Sequence, residues 1–537
     1  MKRTIAILML LALVMPAGAQ SKSYNLAKWV EIQTSLLKEL NRSYVDSLPL
    51  DRIEKAGIDA MLGSLDPYTI YVPQEENEDL QMMINKTYGG IGALIYKESA
   101  RSDLFINEPY AGSPAVRNGL QCGDRILEID GKSVYDLDTK GCSDRMKGKP
   151  GTEVVLKVKK VRSGEEKEIR IVREMIRIPD VQYYGMLDDG TTGYLLLGGF
   201  TEGVASQVRE AVRKMRDEQG MKRFVLDLRG NGGGLLNEAV DLVSVFVPKG
   251  SLVVSSKGKD AGETRNYLTT LEPVDLEMPV IVLVDSASAS ASEIVSGALQ
   301  DLDRATIMGG RTFGKGLVQS IRPLPFGGQL KVTTAKYYTP SGRCVQAIDY
   351  SHRNPDGSVG HIPDSLTREF KTSHGRTVRD GGGVTPDVQL EFKDYSRLTY
   401  SVVLGGVIEK YVLDYVARHD SIPAVEDFHF TDYEDFVSFA KTREFDYRSE
   451  ARTCFDQMKK ELEKDGLTAT VSAELEALGK ALDMDKEQVL RLKKDEIIPF
   501  IEEELAVRYY FQEAGVQIRL RYDYQLQEAL KSPLVEI

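Results

Sequence analysis

The sequence predicts a multidomain α/β protein with helical segments at both ends, and three changes of pattern along the chain indicate this organisation. Apolar side chains recur at helical spacing in residues 20–84, whereas residues 85–175 alternate short β runs with glycine turns. Residues 176–395 alternate apolar strands with amphipathic helices, which is typical of a parallel-rich sheet. Residues 396–537 return to helix with charged faces. These changes predict four segments that follow a short leader at residues 1–19.

The first 19 residues have the pattern of a cleavable export signal. Lys2 and Arg3 precede an apolar run at residues 5–15, and small residues at 17–19 form a cleavage site. The run is shorter than a helix that spans a bilayer. The residue directly after Ala19 is not a cysteine, so a lipid anchor is not expected. The sequence therefore predicts a soluble protein in the periplasm or otherwise exported.

Composition and charge exclude several classes of function. The chain is 42% hydrophobic and 28% charged, as in ordinary globular proteins. Its net charge of −12 argues against a nucleic-acid partner, because phosphate recognition needs a basic surface. The four cysteines lack metal-ligand spacing, and neither a metal nor a cofactor is expected. We predict that Cys122 and Cys142 are buried thiols rather than a disulfide, although an oxidising compartment would allow them to pair.

A glycine turn opens the β-rich segment. Such a turn can aim several backbone N–H groups at the terminal carboxylate of a peptide, and the strand that follows can accept the peptide as an added strand. By itself the turn is equally consistent with a plain β-hairpin. Together with GDRILEIDG at residues 123–131 and a predicted helix at 137–146, it resembles a PDZ domain. By analogy, the carboxylate-binding loop consists of Gly90, Ile91, Gly92 and Ala93.

Three apolar strands of the α/β segment are predicted at residues 192–200, 223–228 and 279–284. A glycine-rich turn at residues 229–234 follows the second strand, and a serine-rich turn at 285–292 follows the third. Ligand sites in parallel sheets lie at the carboxyl ends of the strands. We therefore expect these two turns to lie close together and to form a site.

Lys315 is the candidate base for a serine nucleophile in this segment. No histidine precedes residue 351, so a local Ser-His pair is not available. A lysine accepts a proton only when it is neutral, and burial lowers its pKa. Residues 311–319 contain no carboxylate that would favour the charged form, and Gln319 could orient the amine. The alternative is a surface lysine in a glycine turn.

Composition does not select the nucleophile among four serines of the serine-rich turn, Ser286, Ser288, Ser290 and Ser292. Ser290 and Glu293 also form a capping box, so Ser290 could simply begin a helix. The two roles are compatible, because the first N–H groups of a helix can stabilise an oxyanion. The glycines at 232–234 could supply a second N–H donor. Asp301 is expected to have a structural or supporting role.

Several long motifs resemble those of the C-terminal processing peptidases, also called tail-specific proteases. They are SASASASEI at residues 286–294, RTFGKGLVQ at 311–319 and LDLRGNGGGLLNEAV at 226–240. The resemblance implies a crotonase- or ClpP-like α/β protease core with an inserted PDZ domain. It further implies that Ser290 is the nucleophile, Lys315 the general base and Gln319 the residue that positions the base. The implied oxyanion donors are the backbone N–H groups of Ala291 and Gly234.

The resemblance implies an exported serine endopeptidase that binds unstructured protein C-termini and cleaves by acyl transfer without a cofactor. Two alternatives remain from the residues alone. One is a non-catalytic PDZ-containing scaffold, and the other is a Ser-His-Asp hydrolase that uses a histidine of a predicted loop at residues 351–379, namely His352, His361 or His374. The C-terminal helices could pack on the core, form a homodimer arm or bind an adaptor protein.

Overall fold

The computed structural model describes residues 17–354 and 356–534. Residues 1–16, which hold most of the predicted export signal, lie outside the described part. The chain divides into two compact units. One contains the N-terminal residues as far as Val72 together with residues 321–332, and the other contains residues 73–320 with the chain from Thr333 onward.

The first unit is mainly helical, as its apolar spacing predicts. Its elements are helix α1 (Ala17–Ser43), helix α2 (Leu50–Gly63) and strand β1 (Ile70–Val72). Strand β1 pairs antiparallel with residues 329–331. Leu62 is buried, whereas Leu26 and Trp29 are 69% and 63% exposed. Much of the apolar side of α1 therefore faces solvent.

The β-rich segment forms an antiparallel sheet with two short helices. Its elements, with the helix that precedes it, are α3 (Asn77–Asn85), β2 (Thr87–Gly90), β3 (Ala93–Lys97), β4 (Leu104–Pro109), α4 (Pro114–Arg117), β5 (Arg125–Ile129), β6 (Lys132–Ser133), α5 (Thr139–Met146), β7 (Glu153–Lys159), β8 (Glu166–Val172) and β9 (Glu174–Arg177). The strand order is β3-β4-β5-β7-β8, with β6 beside β5, and β2 pairs separately with β9. Strand β3, which follows the glycine turn, is an edge strand. Its outer side can accept an added strand.

The α/β segment contains the largest number of strands. Its elements are β10 (Val181–Met186), β11 (Thr192–Leu197), α6 (Val204–Gln219), β12 (Arg223–Asp227), α7 (Leu236–Val243), β13 (Leu252–Gly258), β14 (Thr264–Leu268), β15 (Val280–Val284), α8 (Ala291–Asp301), β16 (Thr306–Gly309), β17 (Leu317–Pro323), β18 (Gln329–Tyr338), β19 (Ile348–Arg353), β20 (Val359–His361), β21 (Glu369–Lys371), β22 (Thr377–Arg379) and β23 (Val388–Gln389).

A six-stranded sheet with the order β10-β11-β12-β15-β16-β23 forms the centre of this segment. All its neighbouring pairs are parallel except β10 with β11. Helices α6, α7 and α8 pack on the sheet through one apolar core, which includes Val208, Phe224 and Val295. The predicted parallel-rich α/β architecture is confirmed.

Two parts of the α/β segment differ from the sequence-based expectation. Strand β13 pairs antiparallel with β14 and with residues 335–338, an arrangement that the sequence did not predict. Residues 351–379, which were predicted to be a loop, contribute to two short hairpins, β19 with β20 and β21 with β22. That prediction was wrong, because these strands are short and largely polar and so lack the apolar alternation by which a strand is recognised.

The C-terminal segment is helical, as predicted. Its helices are α9 (Arg397–Leu404), α10 (Val407–Arg418), α11 (Tyr433–Ala440), α12 (Glu450–Lys464), α13 (Ser472–Leu482), α14 (Lys486–Leu492), α15 (Lys494–Tyr522) and α16 (Tyr524–Lys531). Helices α9, α10, α11, α14 and α15 share a core that includes Tyr411, Phe436 and Ile501. Helix α15 is kinked at Phe511, whose φ is 69°.

The end of the C-terminal segment packs against the six-stranded sheet. Val516 and Leu526 join Leu196 and Ile281 in an apolar cluster on this sheet.

In the described part of the chain, no helix has both the length and the apolar composition that a membrane crossing requires.

Candidate active site

The glycine-rich and serine-rich turns lie side by side, as their positions after β12 and β15 predict. The carbonyl oxygen of Asn231 accepts hydrogen bonds from the N–H of Ala289 at 3.0 Å and from the hydroxyl of Ser292 at 2.8 Å. Phe313, in the turn after β16, donates its N–H to the carbonyl of Ser288 at 3.0 Å. Three turns at the carboxyl edge of the sheet therefore form one site.

Ser290 occupies a strained backbone conformation at the start of helix α8. Its φ of 57° and ψ of −111° are unusual for a residue other than glycine. Such strain costs free energy and persists where the surrounding structure enforces it, often at functional sites. Ser290 is also the N-cap of α8, so the predicted helix start and the candidate nucleophile coincide at this residue.

The structure distinguishes the four serines that composition left equivalent. Ser288 and Ser292 are fully buried, and their hydroxyls donate to the carbonyls of Leu228 and Asn231, both at 2.8 Å. Ser286 is exposed near the start of the same turn, whereas Ser290 is partly buried beside the glycine-rich turn. The geometry therefore favours Ser290.

Glu293 joins the candidate nucleophile to the candidate base. Its Oε2 accepts the backbone N–H of Ser290 at 2.9 Å and that of Lys315 at 2.8 Å. Its Oε1 accepts the N–H of Gly314 at 2.7 Å and the hydroxyl of Thr312 at 2.6 Å. Burial raises the pKa of Glu293, while these four donors act in the opposite direction by stabilising the carboxylate.

The sequence identified Glu293 only as a capping residue, and its link to Lys315 was missed. The capping contact, from the N–H of Ser290 to the Glu293 carboxylate, is present. Residues 311–319 themselves contain no carboxylate. In space the Glu293 carboxylate contacts the backbone of Lys315.

Tyr337 makes a second connection between the same two residues. Its hydroxyl lies 2.6 Å from the carbonyl oxygen of Lys315 and 3.0 Å from that of Ser290. Its ring is buried, and its N–H donates to the carbonyl of Gly316 at 3.0 Å. The main chains of Ser290 and Lys315 are thus connected twice, and Lys315 itself is partly buried. Tyr337 was assigned no role from the sequence.

The glycines at 233 and 234 allow the glycine-rich turn to approach Ser290 closely. A Cβ on Gly233 would lie 2.8 Å from the Ala291 nitrogen, and one on Gly234 would lie 2.4 Å from the carbonyl oxygen of Phe200. The N–H of Gly233 donates to the Asn231 side chain at 2.9 Å. Within residues 17–354 and 356–534, the N–H groups of Gly234 and Ala291 have no acceptor. Both are therefore available to an oxyanion.

Two other sequence-predicted residues lie outside this cluster of contacts. The side-chain amide of Gln319, on β17, donates to the hydroxyl of Thr333 at 3.2 Å. Asp301 is buried and forms an ion pair with Arg343 at 2.8 Å, so its position fits the expected structural role. Its carboxylate also accepts the N–H of Ser341 at 3.0 Å.

The histidines do not complete a triad with Ser290. The side chain of His352 is 86% exposed and bonds to Asp349 at 2.6 Å on its own hairpin. His361 and His374 are also exposed. In the described part of the chain, no hydrogen bond or ion pair links any of these three to Ser290.

The glycine turn before β3 is fixed by its neighbours. The carbonyls of Ile91 and Gly92 accept the N–H groups of Ala115 and Tyr110, both at 2.9 Å. A Cβ on Gly92 would lie 2.5 Å from the Cβ of Ser113. The N–H groups of Ile91 and Gly92 have no acceptor among the described residues. The turn thus presents the two N–H groups that a terminal carboxylate would need.

All four cysteines are free thiols, and Cys122 and Cys142 are buried, as predicted.

Comparison with known proteins places this chain in a known family. Peptidase family S41 matches residues 191–356, the PDZ domain matches 105–160, and the family described as "Probable PDZ-protease, C-terminal helical domain" matches 398–532. A carboxy-terminal-processing protease of Bartonella bacilliformis is 37% identical over 318 residues, which cover 58% of this chain and 71% of that protein. The chain belongs to peptidase family S41.

This S41 peptidase has further relatives. A probable CtpA-like serine protease of Staphylococcus aureus is 36% identical over 313 residues, which cover 58% of this chain and 61% of the relative. A solved photosystem II D1 C-terminal processing protease shares 26% identity with a TM-score of 0.37, covering 66% of this chain and 86% of that one. The chain is a serine-type peptidase with an S41 core, a PDZ domain and a C-terminal helical domain.

Proposed function

We propose that this S41 peptidase is an exported endopeptidase that binds unstructured protein C-termini through its PDZ domain and cleaves with a Ser290–Lys315 dyad. One observation carries the proposal. The N–H groups of Ser290 and Lys315 bind the same oxygen of Glu293, at 2.9 and 2.8 Å, beside two N–H groups that are available to an oxyanion.

The first step of the proposed reaction is acylation of Ser290. Neutral Lys315 takes the proton of the Ser290 hydroxyl while the Oγ of Ser290 attacks the scissile carbonyl carbon. A C–O bond forms, and the carbonyl π electrons move to the oxygen, where the N–H groups of Gly234 and Ala291 stabilise the negative charge. When the tetrahedral intermediate collapses, the C–N bond breaks and the leaving amine takes the proton from Lys315.

The second step is hydrolysis of the acyl-enzyme. Lys315, neutral again, takes a proton from water, and the hydroxide oxygen attacks the ester carbon. Collapse of this intermediate breaks the bond to Ser290 Oγ, which takes the proton from Lys315. Gln319 is proposed to position Lys315, and these steps require no cofactor.

The PDZ domain is proposed to select substrates by their C-termini. The N–H groups of Ile91 and Gly92 would bind the terminal carboxylate, and edge strand β3 would pair with the preceding residues of the substrate. The curated relative named a carboxy-terminal-processing protease supports this assignment. Residues 1–19 would direct export. A homodimer or an adaptor protein remains a proposed partner.

The pH dependence of cleavage should identify the base. Because Lys315 works only when neutral, log(kcat/KM) is expected to rise with pH with a slope of one until the lysine is deprotonated. The measurement is cleavage of a fluorogenic peptide as a function of pH. A histidine base would instead give an inflection near the usual histidine pKa of about 6.5. Such an inflection would contradict the dyad.

Dependence on the substrate's terminal carboxylate should identify the role of the PDZ loop. We expect an unfolded substrate with a free C-terminus to be cleaved about tenfold faster than the same chain with an amidated C-terminus, because one charge-assisted contact of about 1.4 kcal/mol is lost. Replacing Gly92 with Ala should abolish this difference, since the new Cβ would collide with Ser113.

Gly112→Ala is the matched control for the PDZ test. Gly112 also has a positive φ, 68° against 74° for Gly92, but a Cβ there would meet no atom within 4 Å. We expect this variant to keep the preference for a free carboxylate. Equal cleavage of the free and amidated substrates by the wild type would refute recognition of C-termini. Binding of labelled peptides without any turnover would favour a non-catalytic scaffold.

A further inference from the structure

Arg229 begins the glycine-rich turn that supplies the proposed oxyanion donor Gly234. Its guanidinium Nε lies 3.0 Å from Oδ1 of Asp227, the last residue of β12, and its backbone N–H donates to the same oxygen at 3.0 Å. Burial alone would lower the pKa of Arg229, but the carboxylates of Asp227 and Asp523 outweigh it and raise the pKa. Arg229 is thus a fixed positive charge at the start of the turn.

The C-terminal helical domain supplies the second half of this charge cluster. Arg229 Nη1 donates to Oδ1 of Asp523 and to Oε1 of Gln525, both at 3.1 Å, and Nη2 forms an ion pair with Oδ2 of Asp523. The side chain of Asp523 is only 11% exposed. Its Oδ1 also accepts the N–H of Leu526 at 2.9 Å and so caps helix α16.

The turn from Arg229 to Gly234 is held by its surroundings at several positions. The N–H of Gly230 donates to Oδ1 of Asp285 at 3.0 Å. The carbonyl of Asn231 holds the serine-rich turn, and Gly234 lies against Phe200. A shift of Arg229 would therefore act on a short segment that is held at these positions and ends at the proposed oxyanion donor.

We infer that Asp523 is a positioning residue of the peptidase reaction, which acts through Arg229 to hold the glycine-rich turn in its oxyanion-binding geometry. The inference rests on the proposed role of Ser290 as nucleophile. Charge-assisted hydrogen bonds are strong and directional, and catalysis is sensitive to ångström displacements of oxyanion donors. The C-terminal helical domain is then part of the catalytic apparatus.

The test compares two substitutions of Asp523 in the full-length chain. Asp523→Ser keeps an oxygen that can cap α16 but cannot pair with Arg229, whereas Asp523→Asn removes the charge and keeps the shape. Each is expected to lower kcat for a fluorogenic peptide by about 10- to 100-fold with KM nearly unchanged. Affinity for a peptide boronic acid, which forms a tetrahedral adduct with a serine, should fall by a similar factor. Binding of the unreactive parent peptide should not change.

Asp485→Ser is the matched control, because Asp485 caps helix α14 through the N–H of Gln488 at 2.8 Å and is exposed. It should keep wild-type kcat. Thermal unfolding of all variants separates a loss of stability from a displacement of the glycine-rich turn. Asp523→Glu is expected to recover part of the activity. Wild-type kcat and boronic acid affinity in Asp523→Ser would overturn the inference. Wild-type activity in Ser290→Ala would instead overturn the proposed function.

Discussion

Replacement of Ser290 or Lys315 by alanine is expected to lower kcat for casein or a fluorogenic peptide by about 10⁴-fold or more. In the proposed mechanism no acyl-enzyme forms without the Ser290 hydroxyl, and without Lys315 that hydroxyl keeps its proton. Because both residues act in the same step, the double variant should be no less active than either single variant. Steady-state kinetics, with mass spectrometry of the acyl-enzyme, provide the measurement.

Substitutions of two exposed residues in the same α/β segment control for a general disturbance of the fold. Ser286→Ala changes an exposed serine in the same turn, and Lys249→Ala removes an exposed lysine from the same segment. Both should retain wild-type kcat. Undiminished cleavage by Ser290→Ala or by Lys315→Ala would show that the dyad is assigned to the wrong residues.

Replacement of Glu293 by glutamine is expected to have the next largest effect. The carboxylate accepts four hydrogen bonds and donates none, so an amide would turn an NH₂ group toward at least one buried donor. We expect the free energy of unfolding to fall by about 3 kcal/mol, since buried donors lose their acceptor. We also expect kcat to fall by about 100-fold, because the backbones of Ser290 and Lys315 would move apart.

Chemical denaturation and steady-state kinetics on the same preparations would measure both effects. Glu277→Gln is a suitable control, because Glu277 is exposed on the loop before β15. It should change neither stability nor activity. A Glu293→Gln enzyme with normal kcat would show that the shared carboxylate is not needed to align the dyad.

The sequence predicted the part of the site that depends on local patterns. Apolar strands followed by glycine and serine turns specify both the elements and the edge of the sheet at which they meet, because parallel strands bring their carboxyl ends together. The capping box correctly placed the start of α8 at Ser290. The choice of Ser290 among four serines needed a family resemblance, since the burial of Ser288 and Ser292 is a property of the fold.

The sequence could not predict contacts that depend on long-range packing. The bond from Lys315 to Glu293 spans 22 residues, and the contact of Tyr337 with Ser290 spans 47. Nothing in either local pattern encodes a partner at that distance. Strands β13 and β14 were missed for a related reason, because residues such as Ser255 and Asn266 interrupt the apolar alternation by which a strand is recognised.

The contact between Arg229 and Asp523 spans 294 residues, and this separation has a consequence for biosynthesis. A ribosome delivers the chain from its N-terminus, so Ser290, Lys315 and Arg229 all emerge before Asp523. If Asp523 holds the glycine-rich turn, a partly synthesised chain has its proposed nucleophile and base but lacks one support of its proposed oxyanion site. The order of synthesis would then delay full proteolytic activity until the helical domain has been made and has folded onto the core.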